Sequence, residues 1–246
     1  LCYSGPLEKG TMKTARLLLA LMVLGATIAA PARQQVVDPA PQKWEPEVKR
    51  LAQPLIDAGL VPGLSIGIYD QGRIETYNLA SPASQAPSAD TIYEIGSVSK
   101  VFTSLLLADA VVRGDVALDD PLSKLLPPEI KAPNLDQHEI TLELLATHFS
   151  GLPRIPSNLG AKDLTNPYAA YGHDQLFAFL TKCQLTRQPG AEYEYSNLGV
   201  GLLGTLLADK AKTDYGTLLR SRITGPLHMP DTVVKQAKDL LKLTTV

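Results

Sequence analysis

The chain has 246 residues, 45% of them hydrophobic and 20% charged, with a formal net charge of −2 at pH 7. That balance describes a soluble globular protein with one sizeable core, and it carries no basic footprint of the kind that nucleic acid selects. Two cysteines, Cys2 and Cys183, stand far apart, and a lone Cys183 more often fills a core than attacks a substrate.

In chain order, residues 1–11 precede Met12 and read as upstream translation. Met12-Lys13-Thr14-Ala15-Arg16 is a basic opening, and the apolar run 17–30 behind it has signal-peptide length, too short to span a bilayer. The expectation is a signal peptide over 12–32, cut after Ala32 in Ala30-Pro31-Ala32, with an uncleaved anchor as the alternative. Cleavage there removes Cys2, Lys9, Lys13, Arg16 and Glu8, leaving a net charge of about −4 and no partner for a disulfide. The product would be periplasmic or secreted, with no membrane span. A linker over 33–45, rich in proline, leads to a single domain over 46–246. A helix is expected over 47–58, kinked by Pro54. Leu64-Ser65-Ile66-Gly67-Ile68-Tyr69 and Arg73-Ile74-Glu75-Thr76-Tyr77 flank Asp70-Gln71-Gly72, the signature of a hairpin.

Glu94-Ile95-Gly96-Ser97-Val98-Ser99-Lys100 runs straight into the apolar stretch 101–112. Three residues apart on a helix are neighbours, so Ser97 and Lys100 share one face. Ser97 is expected in the first turn, where free N–H groups and the helix dipole favour developing negative charge. The bland reading is a capped helix start with a solvated lysine. Against it stands the helix behind, apolar on nearly every face through Phe102, Leu105, Leu106, Leu107, Ala108, Val111 and Val112, which predicts burial. A lysine at its head would lie in or beside a cleft, and burial would make it a usable base.

Beyond residue 115 the pattern is helices and loops: 142–147, 174–181, 198–208 and 215–223. Tyr193-Glu194-Tyr195-Ser196-Asn197 follows the turn Gln188-Pro189-Gly190, and only Tyr195-Ser196-Asn197 reads Tyr-x-Asn. Gly199, Gly201 and Gly204 just after it each cost a helix about 1 kcal/mol relative to alanine, which suggests close packing of backbones there. The plain alternative is a loop capped by tyrosine with Asn197 as a helix N-cap.

Competing chemistries leave no trace. Gly-x-Ser-x-Gly does not occur, and around Ser97 the pattern fails at both ends, where Ile95 and Ser99 stand in place of glycine. His138-Glu139-Ile140-Thr141-Leu142 lacks the second histidine of the zinc motif. His148 is expected as a structural hydrogen-bonder, so neither metal nor cofactor is expected.

Taken together, the Ser97 and Tyr195 motifs resemble those of the serine β-lactamase and penicillin-binding-protein superfamily, in particular class C β-lactamases, D-alanyl-D-alanine carboxypeptidases and family VIII esterases. The likeness runs from Val48 to Thr232 and includes Asp119-Asp120-Pro121-Leu122-Ser123-Lys124 and Leu144-Leu145-Ala146-Thr147-His148-Phe149-Ser150-Gly151-Leu152-Pro153. It implies an α+β, β-lactamase/transpeptidase-like fold, with an N-terminal hairpin of the sheet, a helical subdomain, and C-terminal strands that this chain would lack. It also implies Ser97 as nucleophile, Lys100 as its proton acceptor, Tyr195 as second acid/base, and Asn197 orienting Lys100 and the substrate. The substrate would be a small molecule or a peptidoglycan peptide: D-Ala-D-Ala, a β-lactam or a small ester. One departure stands out. After Asn197 the family's Lys-Thr-Gly or His-x-Gly element is not found; Lys212-Thr213-Asp214 reads as a turn between helices. The expectation is a truncated member with impaired activity, the alternative a ligand-binding remnant without catalysis; the oligomeric state is left open.

Overall fold

One helix organises the structure. Helix α5 (Asn197–Lys210) is apolar over most of its surface, and Leu198, Leu202, Leu203, Leu206 and Leu207 are all buried along it. A helix with so wide an apolar surface has to be covered by neighbours on most of its faces. The computed structural model describes residues 42–160, 167–168 and 170–234. By contacts the chain divides into residues 1–51 and 52–246. The leader expected over 12–32 and most of the linker over 33–45 lie outside the described residues.

In the first unit, Glu45–Lys49 and Glu47–Arg50 form ion pairs at helical spacing, in the opening turns of α1 (Glu45–Asp57). Pro54 sits inside this helix, as the sequence requires.

The second unit carries the last turns of α1, from Ala52, and then the expected hairpin. β1 (Gly63–Asp70) pairs antiparallel with β2 (Arg73–Ala80), with Asp70 opposite Arg73 and Tyr69 opposite Ile74. Gln71 and Gly72 turn the chain with φ of +48° and +84°. Both central residues of a primed two-residue turn need that left-handed backbone, which matches the twist of the flanking strands. A second, unexpected hairpin joins β3 (Asn134–Leu135) to β4 (His138–Glu139). Its strands are too short for any alternation of polarity to show.

The remainder is helical. α2 (Ser99–Val112), α3 (Leu142–Ala146), α4 (His173–Lys182) and α6 (Tyr215–Leu219) follow the expected spans closely, and a π-type turn, Arg220–Thr224, ends the described helices. Leu106 and Leu107 from α2, Leu142 and Leu145 from α3, and Leu176 and Leu180 from α4 share one core with α5. The architecture is α+β, with its strands in two separate two-stranded sheets among the described residues. Lys212-Thr213-Asp214 is a turn as expected: Lys212 has φ +55°, and the Asp214 side chain caps α6 through the Thr217 N–H at 2.9 Å.

Two expectations need correction. The first concerns α2, which was expected to be buried all round. Thr103, Leu106, Leu107 and Ala110 are buried, while Val101, Leu105 and Val112 are exposed. Its apolar surface exceeds what α5 and its neighbours cover. The second concerns the glycines. A Cβ on Gly204 would come within 3.0 Å of the Tyr215 ring, and one on Gly199 within 3.3 Å of the Ser196 hydroxyl, but Gly201 faces open space. The close partners are side chains, not backbones.

Candidate active site

Four side chains meet where the heads of α2 and α5 converge. Ser97 lies in a short 3-10 turn, Gly96–Val98, just ahead of α2 and not in its first turn. The Ser99 hydroxyl holds that turn by donating to the Gly96 carbonyl at 2.7 Å. Lys100, one residue inside the helix, donates through Nζ to Ser97 Oγ at 3.2 Å. From α5, Asn197 Oδ1 accepts from the same Nζ at 2.8 Å, and the Tyr195 hydroxyl donates to Ser97 Oγ at 2.6 Å. Residues nearly a hundred positions apart are thus joined in one hydrogen-bonded set, as the two motifs predict.

The second motif owes its rigidity to a cap. Ser196, fully buried, is the N-cap of α5; its Oγ accepts from the Gly199 N–H at 2.8 Å and donates to the Pro153 carbonyl at 2.7 Å. The capping role expected of Asn197 therefore falls one residue earlier, which frees the Asn197 amide for Lys100. The Arg154 carbonyl accepts from the N–H groups of Asn197 and Leu198, at 2.9 and 3.2 Å. Unpaired donors at a helix start have to find acceptors, and here the loop after α3 supplies them.

That loop is the Thr147-His148-Phe149-Ser150-Gly151-Leu152 landmark. Gly151 has φ +74°, and a Cβ there would meet the Arg187 carbonyl at 2.9 Å, so no other residue fits. His148, as expected, is a structural hydrogen-bonder: its Nδ1 accepts from the Ser196 N–H at 3.1 Å, and its carbonyl accepts from the Glu194 N–H at 2.8 Å. Its ring lies 4.5 Å from that of Tyr195. Burial, then the nearby charge of Lys100, hold the imidazole below its ordinary pKa, which keeps Nδ1 an acceptor.

The electrostatics favour proton removal from the phenol. Hydrogen bonding with Lys100 first, and with Ser97 second, lowers the Tyr195 pKa, with smaller contributions from the charges of Lys100 and Arg154. Lys100 Nζ lies 4.7 Å and the Arg154 guanidinium carbon 5.1 Å from the centre of the Tyr195 ring. Ser97 Oγ thus accepts two hydrogen bonds, from the Tyr195 hydroxyl and from Lys100 Nζ, and Ser97 is exposed. Beside Asn197 a cavity of about 290 Å³ opens, lined by Tyr168, Tyr171, His173, Leu176 and Gly201 among others. Among the described residues no cluster of three or more His, Cys, Asp or Glu is placed to hold a metal ion, and no helix is long and apolar enough to cross a membrane.

Arg154 was missed in the sequence. Its only signal is position, directly after Gly151-Leu152-Pro153.

Comparisons with known proteins give the family. Residues 48–241 match the family described as Beta-lactamase. The D-alanyl-D-alanine-carboxypeptidase/endopeptidase AmpH of Escherichia coli K12 is 30% identical over 231 residues, covering 93% of this chain and 59% of the relative. A Beta-lactamase of Providencia stuartii is 31% identical over 234 residues, covering 94% and 55%. Among solved structures, a Beta-lactamase/D-alanine Carboxypeptidase from Yersinia pestis superposes with a TM-score of 0.72 at 28% identity, over 79% of this chain and 56% of that one. A class C beta lactamase superposes with a TM-score of 0.69 at 27% identity, over 81% and 53%. The chain therefore spans little more than half the length of these relatives.

Proposed function

The chain belongs to the β-lactamase family, and from that premise we propose that it is a serine acyl hydrolase with Ser97 as nucleophile. The observation that carries this reading is the double contact at Ser97 Oγ, with Tyr195 at 2.6 Å and Lys100 at 3.2 Å. Ser97 Oγ attacks the substrate carbonyl and passes its proton to the Lys100–Tyr195 pair. The C–O bond of the acyl-enzyme forms, and the bond to the leaving group breaks. That group leaves with the electron pair and regains a proton from the same pair. Water then attacks the ester, its proton accepted in turn, and Ser97 is released. Asn197 Oδ1, accepting from Lys100 Nζ at 2.8 Å, holds that nitrogen in register.

Substrates of this reading are D-Ala-D-Ala peptides, β-lactams or small esters, which share one acyl-enzyme route. Exported leader and product would place the reaction in the periplasm or outside the cell. A second reading, a ligand-binding protein without turnover, draws on a specific observation: the only Lys-Thr pair after Asn197 is Lys212-Thr213, in the turn before α6. No Lys-Thr-Gly strand is contributed by that segment.

Intact-mass analysis after exposure to a neutral alkyl fluorophosphonate and to a fluorescent penicillin separates the two. A single adduct on Ser97, abolished by Ser97→Ala and slowed roughly 10²–10⁴-fold by Lys100→Ala or Tyr195→Phe, is the expected result. Labelling that survives Ser97→Ala overturns the nucleophile, and no labelling at all leaves the ligand-binding reading.

A further inference from the structure

Two cations lie against the Tyr195 ring, Lys100 with Nζ 4.7 Å and Arg154 with its guanidinium carbon 5.1 Å from the ring centre. Neither forms an ion pair with a carboxylate among the described residues. By contrast Arg187, the next arginine along the chain, pairs with Glu194, and Arg113 pairs with Asp109 and Asp115. Lys100 has employment in the hydrogen bonds to Ser97 and Asn197. Arg154 makes no side-chain hydrogen bond among the described residues, only the contact with the Tyr195 ring. Its backbone carbonyl does the structural task, holding the N–H groups of Asn197 and Leu198, while its guanidinium is left exposed beside the reacting hydroxyls.

We propose that Arg154 is a specificity-determining residue that receives a carboxylate on the substrate, close to the scissile carbonyl. The inference rests on the acyl-transfer reading above and narrows it to anionic acyl donors. The backbone of Arg154 is fixed to the first turn of α5, so the root of its side chain is positioned as firmly as Asn197 itself. A guanidinium presents a planar fork of donors that matches a carboxylate in two parallel hydrogen bonds, a match that lysine cannot reproduce. Uncompensated positive charge around a reacting serine also raises the local concentration of anionic ligands. A neutral ester draws on none of this.

A carboxylate can arrive on the acyl side or on the leaving-group side, and two matched pairs of probes distinguish them. p-Nitrophenyl hydrogen glutarate against its methyl ester varies charge on the acyl side alone. Benzylpenicillin against its methyl ester varies it on the leaving side alone. The readout is the ratio of Ser97 acylation rates within each pair, measured by rapid quench and intact mass. The same ratio of affinities is measured by NMR titration in the chemically inert Ser97→Ala chain.

Arg154→Gln should lower the charged-to-neutral ratio roughly tenfold or more in at least one pair, as expected for a lost hydrogen bond to a charged group. Arg154→Lys should recover part of it. If Arg154 only tunes the Tyr195 phenol, both members of each pair slow together, the ratios stay fixed, and the inference is overturned. If wild-type Ser97 accepts no acyl group, yet the Ser97→Ala chain binds the carboxylate probe in an Arg154-dependent way, recognition stands and the acyl-transfer reading falls. Absence of any Arg154-dependent preference in both backgrounds removes the inference while leaving Ser97 labelling as an independent result.

Discussion

Helix α5 and the outer side of α2 are built from similar residues and live in opposite surroundings. Leu202 and Leu203 on α5 are 0% exposed, whereas Val112 at the end of α2 is 86% exposed and Ile74 on β2 is 75% exposed. The difference teaches where this fold keeps its stability. The half of the site carried by Tyr195 and Asn197 stands on a helix packed on most of its faces, with a buried serine cap at its head. The half carried by Ser97 and Lys100 stands on a helix packed on one side only. Positioning of the hydroxyls therefore depends on the seam where α2, α5 and α6 meet: Thr103 Oγ1 of α2 lies 2.7 Å from the Tyr215 hydroxyl of α6, beside Gly204 of α5.

The sharpest way to break this contrast is to open the interior. Leu203→Ala should destabilise the chain by about 2–5 kcal/mol, the usual range for a leucine truncated in a close-packed core. Equilibrium denaturant unfolding followed by circular dichroism measures it. A loss below about 1 kcal/mol would mean that the core around α5 relaxes freely, and that the two regions differ less than their burial suggests. Gly204→Val acts at the seam itself, driving a larger side chain against the Tyr215 ring. Overpacking typically costs about 1–3 kcal/mol, and here it should also slow Ser97 labelling.

A smaller effect tests the loop that clamps the second half of the site. The folded-state pKa of His148 is depressed, by burial first and Lys100 second. A group of that kind contributes stability that is present above its unfolded pKa, near 6.5, and is lost as pH falls through the folded value. The cost is also visible as a bond, since a protonated Nδ1 no longer accepts from the Ser196 N–H. The melting temperature should fall between pH 7.5 and pH 5, and His148→Phe, which keeps the ring against Tyr195 but has no nitrogen, should flatten that slope. An unchanged slope in His148→Phe would assign the acid sensitivity to other groups.

The sequence carried a good deal of this unevenly. Hairpin, helices and the four site residues were legible, because each depends on local chemistry: Gln71-Gly72 for a primed turn, Ser97 and Lys100 at helical spacing, Tyr195 and Asn197 ahead of an apolar helix. The plain alternative, with Asn197 as N-cap, fails by one residue, because Ser196 and Asn197 both favour that position and only the carbonyls of Pro153 and Arg154, distant in the chain, decide between them. The exposure of α2 was illegible for a related reason. Apolarity says that a face would gain from cover, not which neighbour is present to provide it. Arg154 carries no motif of its own, so only its distance from the Tyr195 ring brings it to notice.

The smallest expected effect concerns the open side, and it decides whether that side is open in solution. Val112 and Ile74 are so exposed that their side chains bury little apolar area, so Val112→Lys and Ile74→Thr should each change stability by no more than about 0.5 kcal/mol. Threonine keeps the branched side chain that a strand accommodates, and the Tyr69–Ile74 pair across the hairpin contributes at most about 1 kcal/mol. Solubility should respond more strongly than stability. Contiguous apolar surface invites association, and an isolated two-stranded hairpin is marginal without packing, so the wild-type chain is expected to bind a hydrophobic dye and to self-associate. Both substitutions should reduce dye fluorescence and light scattering at equal protein concentration. A loss of several kcal/mol in either variant, with no change in dye binding, would show that these residues are covered in solution, and the contrast between the enclosed α5 and the uncovered α2 would fail.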